Sequence, residues 1–191
     1  MDKHGPHFSF CYFNTVVLTY MSLEDHLSML CETKRLWLLT PTDEGKKLLR
    51  CVYVTNEVKM FLEGAKGIPK DLLPVAGGAL AAFDTYMGGG RVTFGMDPHQ
   101  KDRAAMMARN APPADGICDV RVLDPKPQVR IFGAFPAQDI FVAMTWHRRR
   151  LLAFAGAVGR AKKQWLHLFA DMSPVVSEKV TDYVSAPVDP V

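Results

Sequence analysis

Three strand-like runs stand close together in the last part of the chain: residues 117–123 (ICDVRVL), 128–135 (QVRIFGAF) and 139–146 (DIFVAMTW). Their β-branched and aromatic content favours extended backbone. The links between them, Asp124-Pro125-Lys126-Pro127 and Pro136-Ala137-Gln138, are too short to hold a crossover helix. Runs joined so tightly pair antiparallel and in order, so this part of the chain is committed to a meander. Whatever else folds must pack on that sheet.

Two of these runs carry an arginine in their middle, Arg121 and Arg130. Alternation places each on the side away from its apolar neighbours Val120, Val122, Val129 and Ile131. They are either solvent-facing arginines on an amphipathic sheet or a pair aimed at a ligand. Directly after the third run come Trp146 and His147-Arg148-Arg149-Arg150. A basic run at a strand end is in the simplest case a solvated edge. From Cys118 to Lys163 there are nine basic residues against three acidic, although the whole chain carries only +3. The basic character is therefore concentrated here. Arginine forks bind phosphate oxygens bidentately and an indole stacks on an unpaired base, which suits single-stranded RNA. The RNA-binding candidates are Trp146, Arg149 and Arg150, joined by Lys162 and Lys163 from the last helix.

The remaining residues build around the meander. At 191 residues there is room for one ordinary domain, and 48% hydrophobic with 23% charged residues excludes wholesale disorder and a polytopic membrane protein. Ser22 is a good N-cap for a helix reaching about Thr33. The run RLWLLT before Pro41 and the strand-like LLRCVYVT (48–55) form an expected hairpin. Asn56 is placed to cap a helix over EVKMFLEG. A longer helix starts near Pro74, carries Leu80, Phe83 and Met87 on one face and ends at Gly88-Gly89-Gly90. That triple glycine lacks the Lys-Ser/Thr of a phosphate loop. Asp97-Pro98 predicts a helix start, with 99–110 helical. The last helix places Val158, Ala161, Trp165, Leu168 and Met172 on its core face.

These elements predict an α+β fold: an antiparallel or mixed sheet of four to five strands with helices packed on it. Residues 22–172 form the domain, with a helical insertion at about 64–115, and 173–191 are a tail that wraps the surface or dangles. Residues 1–21 are an arm or leader. Their apolar stretch 8–21 is too short and too interrupted by polar residues for a membrane span, and Lys3 with no A-x-A site makes a poor signal peptide. It is either a packing arm or sequence upstream of a start at Met21. The cysteines Cys11, Cys31, Cys51 and Cys118 include no CxxC pair, and His4 and His7 have no later partner at ligand spacing. No metal and no cofactor is expected, and a reducing cytoplasm is the expected location.

The block 120–150 resembles the phage-derived, RelE-like group of the bacterial RelE/ParE toxin superfamily. In that group an arginine-bearing strand of the type ELR is followed by one of the type yRif and by an apolar strand of the type ifvaL. The counterparts here are Asp119-Val120-Arg121, Val129-Arg130-Ile131-Phe132 and Ile140-Phe141-Val142-Ala143. The match spans residues 48–169 in element order and is carried in residues by 117–150. It implies an endoribonuclease acting on messenger RNA, often on the ribosome, and held inactive by an antitoxin. Arg121 and Arg130 would clamp the scissile phosphate, and Arg148 or Arg149 would stabilise the charge that develops as the ribose 2′-OH attacks. His147 would be the general acid or base, and no metal is needed. A non-catalytic phage or mobile-element protein that binds a host protein or nucleic-acid complex stays open as the alternative, as does a ParE-like inhibitor of gyrase. An enzyme predicts that these groups converge on one concave surface. A binding protein predicts that they spread out or are neutralised by Asp119 and Asp139.

Overall fold

The expected meander is the centre of an eight-stranded mixed sheet covered by helices on both faces. The computed structural model describes residues 21–43, 45, 47–100, 104–170 and 172–191. Residues 1–20, with His4, His7 and Cys11, lie outside them. The strands are β1 (Trp37–Leu38), β2 (Cys51–Val54), β3 (Val92–Gly95), β4 (Met107–Arg109), β5 (Ile117–Val122), β6 (Val129–Ala137), β7 (Ile140–Arg148) and β8 (Val188–Pro190). The helices among the described residues are α1 (Leu23–Glu32), α2 (Asn56–Leu62), α3 (Leu73–Met87) and α4 (Phe154–Phe169). Across the sheet the order is β1-β2-β7-β6-β5-β4-β3-β8. The fold is α+β, with a larger sheet than the four to five strands expected.

β5, β6 and β7 pair antiparallel, as their short links require, and β7 lies parallel beside the much earlier strand β2. On one face α2 and α3 bury Val58, Phe61, Val75 and Phe83 against Val52, Val120 and Ile131. On the other, α1 and α4 bury Leu27, Leu30, Val158, Ala161 and Trp165 against Ile117, Phe132 and Val142. Covering both faces removes solvent from the central strands, so β5 is buried at every position. Asp119, Arg121 and Arg130 are the charged exceptions, and all three share the α4 face.

Several helix ends follow from the sequence directly. The Ser22 side chain accepts from Asp25 N–H and caps α1. α3 ends at Gly88. β1 and β2 form the expected antiparallel hairpin. At α2 the cap is Thr55 and not Asn56: its hydroxyl accepts from Val58 N–H and donates to Met144 O at 2.7 Å, which ties the helix start to β7.

Three expectations are corrected. Among the described residues of 99–110 there is no helix: the Asp97 carboxylate takes the N–H groups of His99 and Gln100 in a local turn, and 107–109 join the sheet as β4 against β5. Pairing with the preformed meander outweighs the helix propensity of an Ala/Met-rich run. The insertion at 64–115 is consequently mixed, with α3 followed by β3 and β4, and not helical throughout. The tail 173–191, expected to wrap the surface or dangle, is built into the edge of the sheet. β8 pairs parallel with β3, and Tyr183 and Val184 are fully buried. Two buried arginines hold it there. Arg50 donates to Ser185 O at 2.8 Å, and Arg109 donates to Ser177 O at 2.6 Å and pairs with Glu178. Among the described residues no helix is long and apolar enough to cross a membrane.

Candidate anion pocket on the sheet

Antiparallel register aligns Arg121 on β5, Arg130 on β6 and His147 on β7 as direct cross-strand neighbours. Arg121 and Arg130 are only 7% and 8% exposed, so they are not solvent-facing. Like charges placed opposite one another repel, and burial deprives them of water. Asp119, two residues from Arg121 on the same face, offsets that cost. Its Oδ2 accepts from Arg130 Nη1 at 2.7 Å and lies 3.7 Å from Arg121 Nε. The carboxylate is fully buried, and its Oδ1 has no hydrogen-bond partner among the described residues.

Above this charged row lies a cavity of about 650 Å³. Arg121 and Arg130 reach it from the sheet, and Arg149 reaches it from the turn that follows β7. Asn110, Gln128 and His99 supply further polar lining, while Leu123, Phe154 and Val158 supply apolar wall. Among the described residues lining it, none is a carboxylate. The Arg149 guanidinium lies 5.1 Å from the centroid of the Phe154 ring, within cation–π range. Phe154 opens α4, whose first turn has no side-chain cap. A helix start of that kind adds positive potential from its backbone N–H groups.

The run 146–150 does not act as one unit, because period-two alternation sends consecutive residues to opposite faces. His147 faces α4, packing edge-on to Phe132 with ring centroids 5.7 Å apart, but it does not line the cavity. Its Nε2 is buried with no hydrogen-bond partner among the described residues. Burial, and secondarily the Arg160 charge, hold its pKa below the usual imidazole value. Arg148 faces the other way and binds Asp71 through two hydrogen bonds of 2.7 and 2.8 Å. That pairing holds the Asp71 carboxyl below the usual range. Trp146, half-buried, stacks on Phe61 at 4.6 Å on the α2 face, against the apolar core. Arg150 is exposed. On α4, Lys162 pairs with Asp115 at 2.6 Å, and Lys163 is exposed.

Of the sequence-derived candidates, Arg121, Arg130 and Arg149 therefore converge, whereas His147, Arg148 and Trp146 lie elsewhere. Asp139 pairs with Arg50 at 3.3 Å and plays no part here. The lining contributed by His99 and Asn110 was missed because those residues were assigned to a helix. Gln128, two residues before Arg130 on the same strand face, was accessible to the alternation argument. Comparison of the chain with protein-family models, with curated proteins and with solved structures finds no match. The geometry alone defines a concave, guanidinium-rich site suited to a phosphorylated ligand.

Proposed function

We propose that the protein is a RelE-like toxin that binds messenger RNA in the Arg121–Arg130–Arg149 pocket and cleaves it as a metal-independent endoribonuclease. The observation that carries the proposal is the convergence of three guanidinium groups, from β5, β6 and the turn after β7, on one concave surface. Element order supports it in part: strand β2, helices α2 and α3, the β5–β7 meander and the closing helix α4 come in the order that the resemblance implies, with β3 and β4 added between α3 and β5. In this reading Arg121 and Arg130 hold the scissile phosphate. The ribose 2′-hydroxyl gives up its proton as its oxygen bonds to phosphorus, the bond from phosphorus to the 5′-oxygen breaks as that oxygen takes up a proton, and the guanidinium groups stabilise the charge between those events. Asp119 keeps both arginines aimed at the cavity. In the same reading His99, the imidazole of the cavity lining, takes the 2′-hydroxyl proton and gives it to the leaving 5′-oxygen, the role the sequence assigned to His147. The ribosome as site of action, an antitoxin partner and a cytoplasmic location belong to the same reading.

A non-catalytic RNA- or protein-binding role has one observation in its favour: His147, next to Arg130 in the sheet, stands outside the cavity. Expression from a tightly repressed promoter separates the readings. The account expects growth arrest with new messenger RNA 5′ ends from the wild type, and neither from Arg149→Ala, whose side chain is exposed. Arrest without cleavage would point to gyrase or another bound target. Absence of arrest would favour the non-catalytic role.

A further inference from the structure

We infer that the cavity is a single-nucleotide site, which takes a whole nucleoside monophosphate with its phosphate on Arg121 and Arg130 and its base beside Phe154 and Arg149. The inference rests on reading the cavity as a phosphate site, but not on cleavage. Size is the first argument. A volume of about 650 Å³ lies in the middle of the range of small-molecule sites, roughly 300–1,000 Å³, and far exceeds what a phosphate group alone fills. Lining chemistry is the second. One side is guanidinium, while Phe154, Val158 and Leu123 form an apolar wall that a bare anion has no use for. The third is the pairing of Arg149 with Phe154, which sets a planar cation and a phenyl ring together at the cavity. Both offer flat faces on which a base stacks. Gln128 adds an amide that donates and accepts, as the edge of a base requires. The uncapped first turn of α4 begins at the same wall and favours negative charge.

The nucleotide can come from solution or from an RNA chain, since the recognised chemistry is the same. Titration calorimetry of the full chain in EDTA, with uridine and adenosine monophosphates, inorganic phosphate and the bare nucleosides, tests the inference. Both monophosphates should bind at least about tenfold more tightly than phosphate or nucleoside. Phe154→Ala should abolish that excess and leave phosphate affinity unchanged. Gln128→Ala should lower nucleotide affinity with an unaltered melting temperature, which guards against a Phe154 variant that fails to fold. Competition against a labelled RNA octamer identifies the source: displacement by monophosphate assigns the site to RNA as well, and its absence assigns it to free nucleotides. Equal affinity for phosphate and nucleotide, or equal weakening of both by Phe154→Ala, would overturn the inference. Nucleotide binding without RNA cleavage would overturn the ribonuclease reading and leave this inference standing. Cleavage without a preference for nucleotide over phosphate would do the reverse.

Discussion

At the scale of single residues, the controlling group is Asp119. It is the buried counter-charge for two arginines that face one another across β5 and β6. Removing one partner of a buried ion pair leaves the other charge stranded, here that of Arg130, so Asp119→Ala should cost about 3–5 kcal/mol in urea denaturation. A loss below about 1 kcal/mol would show that the arginines do not depend on it. His147 makes a pH prediction. Its folded pKa is depressed, so between that value and the unfolded value near 6.5 the unfolded chain binds more protons than the folded one. Stability should therefore fall as pH drops below about 6.5 and level off beneath the folded pKa. Urea denaturation of the wild type and of His147→Gln across pH 5 to 8 checks this, with the acid-side loss smaller in the variant. The alternation rule set Arg121 and Arg130 apart from their apolar neighbours, whereas their sharing one face with Asp119 follows from the register of β5 against β6. Applied to the basic run the rule also separates His147 from Arg148, which reading the run as a single cluster conceals.

Among the elements, the meander was legible because its links leave no other topology, and α1 and α3 because cap and stop residues bracket apolar periods. β3, β4 and β8 were not legible. Each is three or four residues long, and what makes it a strand is pairing with residues distant in sequence, not its own composition. β6 and β7 show the opposite case, where a local feature is fixed by packing. Their register shifts between Phe132 and Gly133, and a Cβ on Gly133 would lie 2.3 Å from Val142 O and 2.4 Å from Phe141 Cζ. Backbone cannot yield as a flexible side chain can. Gly133→Ala should destabilise the protein by about 1–3 kcal/mol, measured as a lowered urea midpoint with an unchanged slope. A neutral result would mean that the strands separate easily at the bulge.

For the molecule as a whole, the sheet is closed at one edge by the C-terminal segment, and the cavity depends on the other end of the chain's last helix. Tyr183 and Val184 are buried in the same core as Phe94 and Phe135, and Arg50 and Arg109 anchor the segment from within. A chain ending at Met172 should therefore lose cooperative thermal unfolding by circular dichroism; a sharp transition near that of the full chain would contradict this. One sheet thus supports both a rigid two-sided core and, at the end where β5, β6 and α4 meet, a guanidinium-lined cavity. That this cavity holds the phosphate of RNA is the central claim. The most direct test is equilibrium binding of a fluorescent RNA octamer, in EDTA, to the wild type and to Arg149→Glu, with the stability of both proteins measured alongside. The account predicts salt-dependent binding by the wild type and a loss of at least about tenfold in the variant at unchanged stability. Equal binding by the two proteins, or none by either, would contradict it.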